Sequence, residues 1–137
     1  MALSGDGFNP MGWDCEKSGC LNKERRPKIE IFCDCFPGKI NFGDVDGIVE
    51  INGRGLMLEW KTSMKKLTFP IGQKIMYERL TSGRKLTVLS IIGDAKTMVC
   101  SKYCIFWDGK QGQWIDSDLK AIKNRIKQWV RWAKSDI

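Results

Sequence analysis

The sequence predicts a mixed α/β domain, and three features of the 137-residue chain carry that expectation. Short runs of two-residue apolar alternation recur in the first half, a nearly continuous apolar run follows at 86–92, and apolar residues return at helical spacing at the end. Strand and helix periods interleaved in this way call for a sheet with helices packed on it. The length suits one domain with a core of moderate size.

The opening residues 1–14, rich in Gly, Asp, Asn and Pro, are expected to form a loosely held segment. Glu16 to Arg26 suits a short helix that Pro27 must stop. Ile29 to Cys33 alternates as a first strand, and Phe36-Pro37-Gly38-Lys39 reads as a turn. Val45 to Ile51 follows as a second strand, and Asn52-Gly53 is a strong hairpin signal leading into a third, Leu56 to Lys61. Three consecutive antiparallel strands are the expected result.

Pro70 and Gly83 bracket a helix from Gly72 to Ser82, with Ile75, Met76 and Leu80 as its expected buried side. The run Leu86 to Ile92 suits a central strand covered on both faces. Met98 to Trp107 adds another strand after a Gly93-Asp94 turn. Leu119, Ile122, Ile126, Trp129, Val130 and Ala133 then recur opposite Lys120, Lys123, Lys127, Arg131 and Lys134, which makes the last helix amphipathic and basic. A single domain over 1–137 is expected, with its core at 15–92 and the extra strand and basic helix at 93–137.

Charge narrows the function. The chain has 23 Lys plus Arg against 16 Asp plus Glu, a net charge of +7, and no His. The missing histidine excludes His-dependent serine and cysteine triads, His-ligated zinc enzymes and His phosphotransfer. Two basic segments, Lys17 to Lys28 and Lys61 to Lys85, flank an acidic island that holds Glu30, Asp34, Asp44, Asp46, Glu50 and Glu59. A set of solvated faces would have this pattern, and so would a metal-dependent enzyme acting on a polyanion, where carboxylates hold the ion and Lys and Arg hold phosphates.

Within the island, strand alternation puts Glu59 and Lys61 on one face and Leu58 and Trp60 on the other. Pairing across the Asn52-Gly53 hairpin brings Asp46, in Gly43-Asp44-Val45-Asp46-Gly47, beside Glu59. Two carboxylates on adjacent strands can share a hard cation while a nearby Lys neutralises charge on phosphorus or serves the attacking water. A cross-strand salt bridge on a solvent face uses the same residues.

Asp46 followed by Glu59-Trp60-Lys61 resembles the PD-(D/E)xK nuclease superfamily, although Val45 stands where the motif has its Pro. Gln73-Lys74-Ile75-Met76-Tyr77 resembles the Gln-x-x-x-Tyr motif of its RecB-like and lambda-exonuclease-like branch. The resemblance implies a restriction-endonuclease-like core of helix, three strands, helix and strand over Glu16 to Ile92. It also implies Mg²⁺, or Mn²⁺ in its place, held by Asp46, Glu59 and the Trp60 backbone carbonyl. Lys61 would serve the water, and Gln73 and Tyr77 would position the substrate. An upstream acid often joins such sites, and Glu24, Glu16 and Glu30 compete for that role, with Glu24 preferred.

Six cysteines suggest thiols rather than a disulfide framework. Cys15, Cys20, Cys33 and Cys35 have a spacing that could hold a structural Zn²⁺ or an iron–sulfur cluster; buried or free thiols are the simpler alternative. Cys100 and Cys104 would lie about 13 Å apart along a strand, too far for a direct disulfide. With no apolar run long enough for a membrane span and no signal-peptide layout, the expectation is a cytoplasmic DNA nuclease in a bacterial or phage-infected cell. Lys65, Lys66, Lys74, Lys120, Lys123, Lys127 and Arg131 would meet DNA, and a homodimer is compatible with the size. The alternative is a catalytically inactive nucleic-acid-binding or inhibitory protein on the same fold. In size the chain resembles the small stand-alone nucleases of phages and mobile elements.

Overall fold

A computed structural model describes residues 28–64 and 66–135, and the chain divides after Gly43 into two compact units. In the first unit, Ile29–Cys35 forms a 3-10 helix and not the expected first strand. Apolar alternation alone does not make a strand, because a strand needs an edge to satisfy its backbone. Here the backbone closes locally instead, with Ile31 N donating to Lys28 O at 3.2 Å and Phe36 N to Cys33 O at 3.3 Å. Phe42 packs edge-on against Phe32 and Phe36. The helix expected at Glu16 to Arg26 lies outside the described residues.

The second unit is a mixed six-stranded sheet with a helix on each face. Strands β1 (Gly47–Ile51) and β2 (Arg54–Lys61) form the antiparallel hairpin. Its turn works as the sequence implies: Asn52 and Gly53 both have positive φ, 56° and 82°, as a type I′ turn requires. Two antiparallel strands therefore stand where three are expected. Helix α1 (Ile71–Thr81) then crosses over to β3 (Leu86–Gly93), which runs parallel to β2 in the register Gly55↔Leu86 to Lys61↔Ile92. Strand β3 is central, paired on its other side with antiparallel β4 (Cys100–Trp107), and its buried apolar run follows from that position. Two short strands, β5 (Lys110–Gln111) and β6 (Ile115–Asp116), pair with β4 before helix α2 (Leu119–Lys134).

Details of the elements correct several expectations. The strand expected from Met98 begins at Cys100, because Met98 takes a left-handed turn conformation, φ 61°. Helix α1 buries Tyr77 and Thr81 and leaves Ile75, Met76 and Leu80 exposed. Thr81 is buried without penalty because its hydroxyl donates to Tyr77 O at 2.8 Å, while the Tyr77 ring joins Phe69 and Phe106. A register shift between Ile92 and Gly93 leaves Ser101 as an extra residue in β4 and reverses the inside–outside alternation there. Cys100 and Cys104, four residues apart, consequently enter opposite faces of the sheet.

On one face, Met57, Phe69, Tyr77, Val88, Cys104 and Phe106 form a core under α1. On the other, Leu56, Leu89, Ile91 and Cys100 pack against Ile122, Trp129 and Ala133 of α2. Asp118 caps α2 by accepting from Ala121 N at 2.8 Å. At its other end the Arg54 guanidinium donates to the carbonyls of Trp132, Ala133 and Ser135 at 2.7, 3.2 and 3.1 Å. The hairpin thereby holds the negative end of the helix. No helix among the described residues is long and apolar enough to cross a membrane.

Candidate active site

Asp46 sits one residue ahead of β1, and extending the hairpin ladder one step beyond Gly47↔Leu58 sets it across from Glu59. The ladder itself stops there: Asp46 Oδ2 accepts the Trp60 backbone N–H at 2.6 Å, in place of a main-chain carbonyl. In an extended strand the N–H and C=O of one residue leave on the same edge, so the Trp60 carbonyl also leaves toward Asp46. The Trp60 side chain goes the other way, into the α2 side of the sheet.

Glu59 is the hub on the α1 side. Its Oε1 lies 3.1 Å from Lys61 Nζ, and Gln73 Nε2 approaches the same oxygen at 3.4 Å. Both ion-pair partners are sheltered, Lys61 with 23% and Glu59 with 13% of the side chain exposed. The neighbouring sheet position, Ser90, faces the same side, and its fully buried Oγ has no hydrogen-bond partner among the described residues. Gln73 Oε1 is likewise buried and unpartnered.

Tyr77 follows Gln73 by one helical turn and points to the same place. Its residue exposure is 2%, so the ring is core and only the hydroxyl serves the site. Burial, then the negative charge of Glu59, hydrogen bonding to Glu59 and the charge of Asp46 push the phenol far above its usual range, against a smaller opposing effect of Gln73. Tyr77 is therefore a neutral donor and cannot act as a base.

The five residues expected at the site thus converge: Glu59, Lys61, Gln73 and Tyr77 on one sheet face, with Asp46 at the end of the adjoining strand. Glu24, Glu16, Cys15, Cys20 and Lys65 lie outside the described residues, and Glu30 belongs to the first unit. Cys33 and Cys35 are exposed thiols on the 3-10 helix, not on the strand expected there. Among the described residues, no three His, Cys, Asp or Glu side chains gather as a metal group. Lys74 is paired with Glu78 at 2.8 Å, and Lys66 is exposed. Lys120, Lys123, Lys127 and Arg131 are exposed on α2, which covers the face of the sheet away from Glu59.

Family models, curated proteins and solved structures offer no match to this chain. Its chemistry must be judged on the site itself. Ser90 is the site residue that sequence reasoning missed; its signal was one of two hydroxyls, with Thr87, within the apolar run Leu86 to Ile92, and it stands next to Glu59 only once the parallel register is known.

Proposed function

We propose that the chain is a Mg²⁺-dependent DNA nuclease with a PD-(D/E)xK site on a restriction-endonuclease-like core. The hairpin, the crossover helix and the parallel strand would be the last three strands and second helix of that core, while residues 29–33 do not supply its first strand. One observation carries the proposal: Glu59 meets Lys61, Gln73 and Tyr77 on one face, with Asp46 across the end of the hairpin.

The donor set fits a hard divalent cation. Asp46, Glu59 and the Trp60 carbonyl offer only oxygen, and after accepting from Trp60 at Oδ2 Asp46 keeps its second oxygen open among the described residues. When bound there, Mg²⁺ would acidify a water and neutralise charge on the scissile phosphate. Mn²⁺ would serve similarly. Lys61, paired as an ammonium with Glu59, has no lone pair to take a proton in this geometry, so its contribution is positive charge beside the phosphate. Gln73 donates to the Glu59 carboxylate and the neutral Tyr77 hydroxyl lies within its field, which makes them positioning residues for the acid. Hydrolysis adds water across a P–O bond and leaves one phosphomonoester and one hydroxyl end.

Circular and linear DNA incubated with Mg²⁺ or with chelator test the proposal. Cleavage that requires the metal and is lost in Glu59→Gln is the expected result. A protein that binds DNA yet cuts neither form with Mg²⁺ or Mn²⁺ would instead be an inactive binding or inhibitory protein.

A further inference from the structure

The far face of the sheet carries a second feature that the carboxylate site does not use. Arg125, Trp129 and Trp132 fall at i, i+4 and i+7, one stripe of α2. Opposite them stand Thr87 of β3 and Trp107 at the end of β4, and the five residues line an open cavity of 310 Å³. A volume at the low end of small-molecule sites, which span roughly 300–1,000 Å³, suits a ligand the size of one nucleotide.

The wall has an unusual chemistry. Trp107 meets Trp132 edge-on with ring centroids 4.8 Å apart, and the Arg54 guanidinium sits 4.4 Å from the Trp132 ring, so these aromatic surfaces are held in place. Trp129 and Thr87 are buried, with 4% and 3% exposure, yet Trp129 Nε1 and Thr87 Oγ1 have no hydrogen-bond partner among the described residues. Arg125 makes no ion pair among them either. A wall that combines indole rings, an unsatisfied donor, an unsatisfied hydroxyl and an uncommitted guanidinium matches a planar, hydrogen-bonding ring attached to an anion. The surroundings add charge of one sign: Leu119–Lys134 contains six Lys or Arg and no acid.

We infer that the Arg125, Trp107, Trp129, Trp132 and Thr87 pocket binds a nucleotide, its base against the indoles and its phosphate on Arg125. Stacking on aromatic side chains tolerates any base, and flanking Lys and Arg follow the backbone, which is how single strands are held without sequence preference. The same chemistry admits a free mononucleotide or one nucleotide of a single strand. The site lies across the sheet from Glu59 and does not depend on turnover there.

The test uses the full chain in chelator, so that cleavage plays no part. Binding of a short fluorescein-labelled single-stranded oligodeoxynucleotide is followed by anisotropy, and binding of 5′-dAMP by quenching of tryptophan fluorescence. Arg125→Gln and Trp107→Leu should each weaken binding about tenfold or more, the range expected for loss of a stacking partner. Thr87→Val, nearly isosteric, should weaken it less. Lys123→Gln removes an equal charge outside the pocket and should fall well short of Arg125→Gln. Competition by 5′-dAMP assigns the pocket to free nucleotides as well; strand binding that needs Arg125 and Trp107 but ignores 5′-dAMP assigns it to the strand. The inference is overturned if folded Arg125→Gln and Trp107→Leu bind both probes like the parent, or if Arg125→Gln and Lys123→Gln weaken binding equally with Trp107→Leu silent.

Discussion

Lys61→Met separates the two jobs that one ammonium does. The substitution keeps the length and the apolar stem of the side chain and deletes only the charge 3.1 Å from Glu59 Oε1. What remains on that oxygen is the long Gln73 contact at 3.4 Å, and the carboxylate stays mostly sheltered. Orphaning one partner of a fully buried pair costs about 3–5 kcal/mol, and an exposed pair contributes at most about 1. At these exposures the loss should be intermediate, about 1–2 kcal/mol, read as a lower urea midpoint at unchanged slope. Cleavage should fall much further, by about 10²–10³ in rate at saturating Mg²⁺, the usual effect of removing one group that stabilises charge in the transition state. Mg²⁺ affinity, followed by calorimetry without DNA, should hold or rise, because a positive neighbour is gone. Plasmid nicking by the folded variant at a rate close to the parent's would refute the role given to Lys61 and leave the pair a structural salt bridge.

Asp46→Asn should weaken Mg²⁺ binding and abolish cleavage, since it removes an anionic ligand; titration calorimetry and plasmid cleavage check both. With Ca²⁺ in place of Mg²⁺, gel-shift assays should show DNA retained with little product, because looser coordination places water poorly for attack. Arg54→Met should cost about 2–3 kcal/mol in urea unfolding, as it removes charged hydrogen bonds to three carbonyls at the end of α2 and the contact with Trp132. Burial pushes the Cys104 thiol up to about 11 from 9.0, so the unfolded chain releases that proton first. Stability should therefore fall as pH rises from about 9 to 11, and thermal melts of Cys104→Ala should show a shallower decline over that window.

What was legible in the sequence was what local geometry dictates. Asn52-Gly53 demands positive φ, which set the hairpin and, through it, Asp46 against Glu59. The period of two put Lys61 beside Glu59, and a spacing of four put Tyr77 beneath Gln73. Misreadings arose where the deciding partner is remote. Ile29 to Cys33 alternates correctly for a strand, yet no pattern within five residues says whether an edge awaits it. Helix α1 offered Ile75, Met76 and Leu80 as its apolar side, and the fold chose the side that carries Tyr77 and Thr81, where the Tyr77 ring joins Phe69 and Phe106 and the Thr81 hydroxyl is satisfied by the Tyr77 carbonyl. The extra residue Ser101 left no local mark, so nothing in the sequence showed that Cys100 and Cys104 enter opposite faces of the sheet. Trp129 fits a helix core stripe, and only the placement of Thr87 and Trp107 opposite it makes a cavity there. Which face of the sheet each helix covers is likewise fixed by chain topology, and this is what separates the bases of α2 from Glu59.

The clasp between Arg54 and the end of α2 also orders events during synthesis. Arg54 and its first acceptor, Trp132, are 78 residues apart, so the hairpin leaves the ribosome long before the carbonyls that hold it exist. Before β3 is made to pair with β2, the strand pair that carries Asp46 and Glu59 is a two-stranded ribbon, a form of marginal stability on its own. The clasp on Arg54 can close only once Trp132, Ala133 and Ser135 have been made. The acidic residues of the hairpin are thus made well before the helix end that anchors their strand.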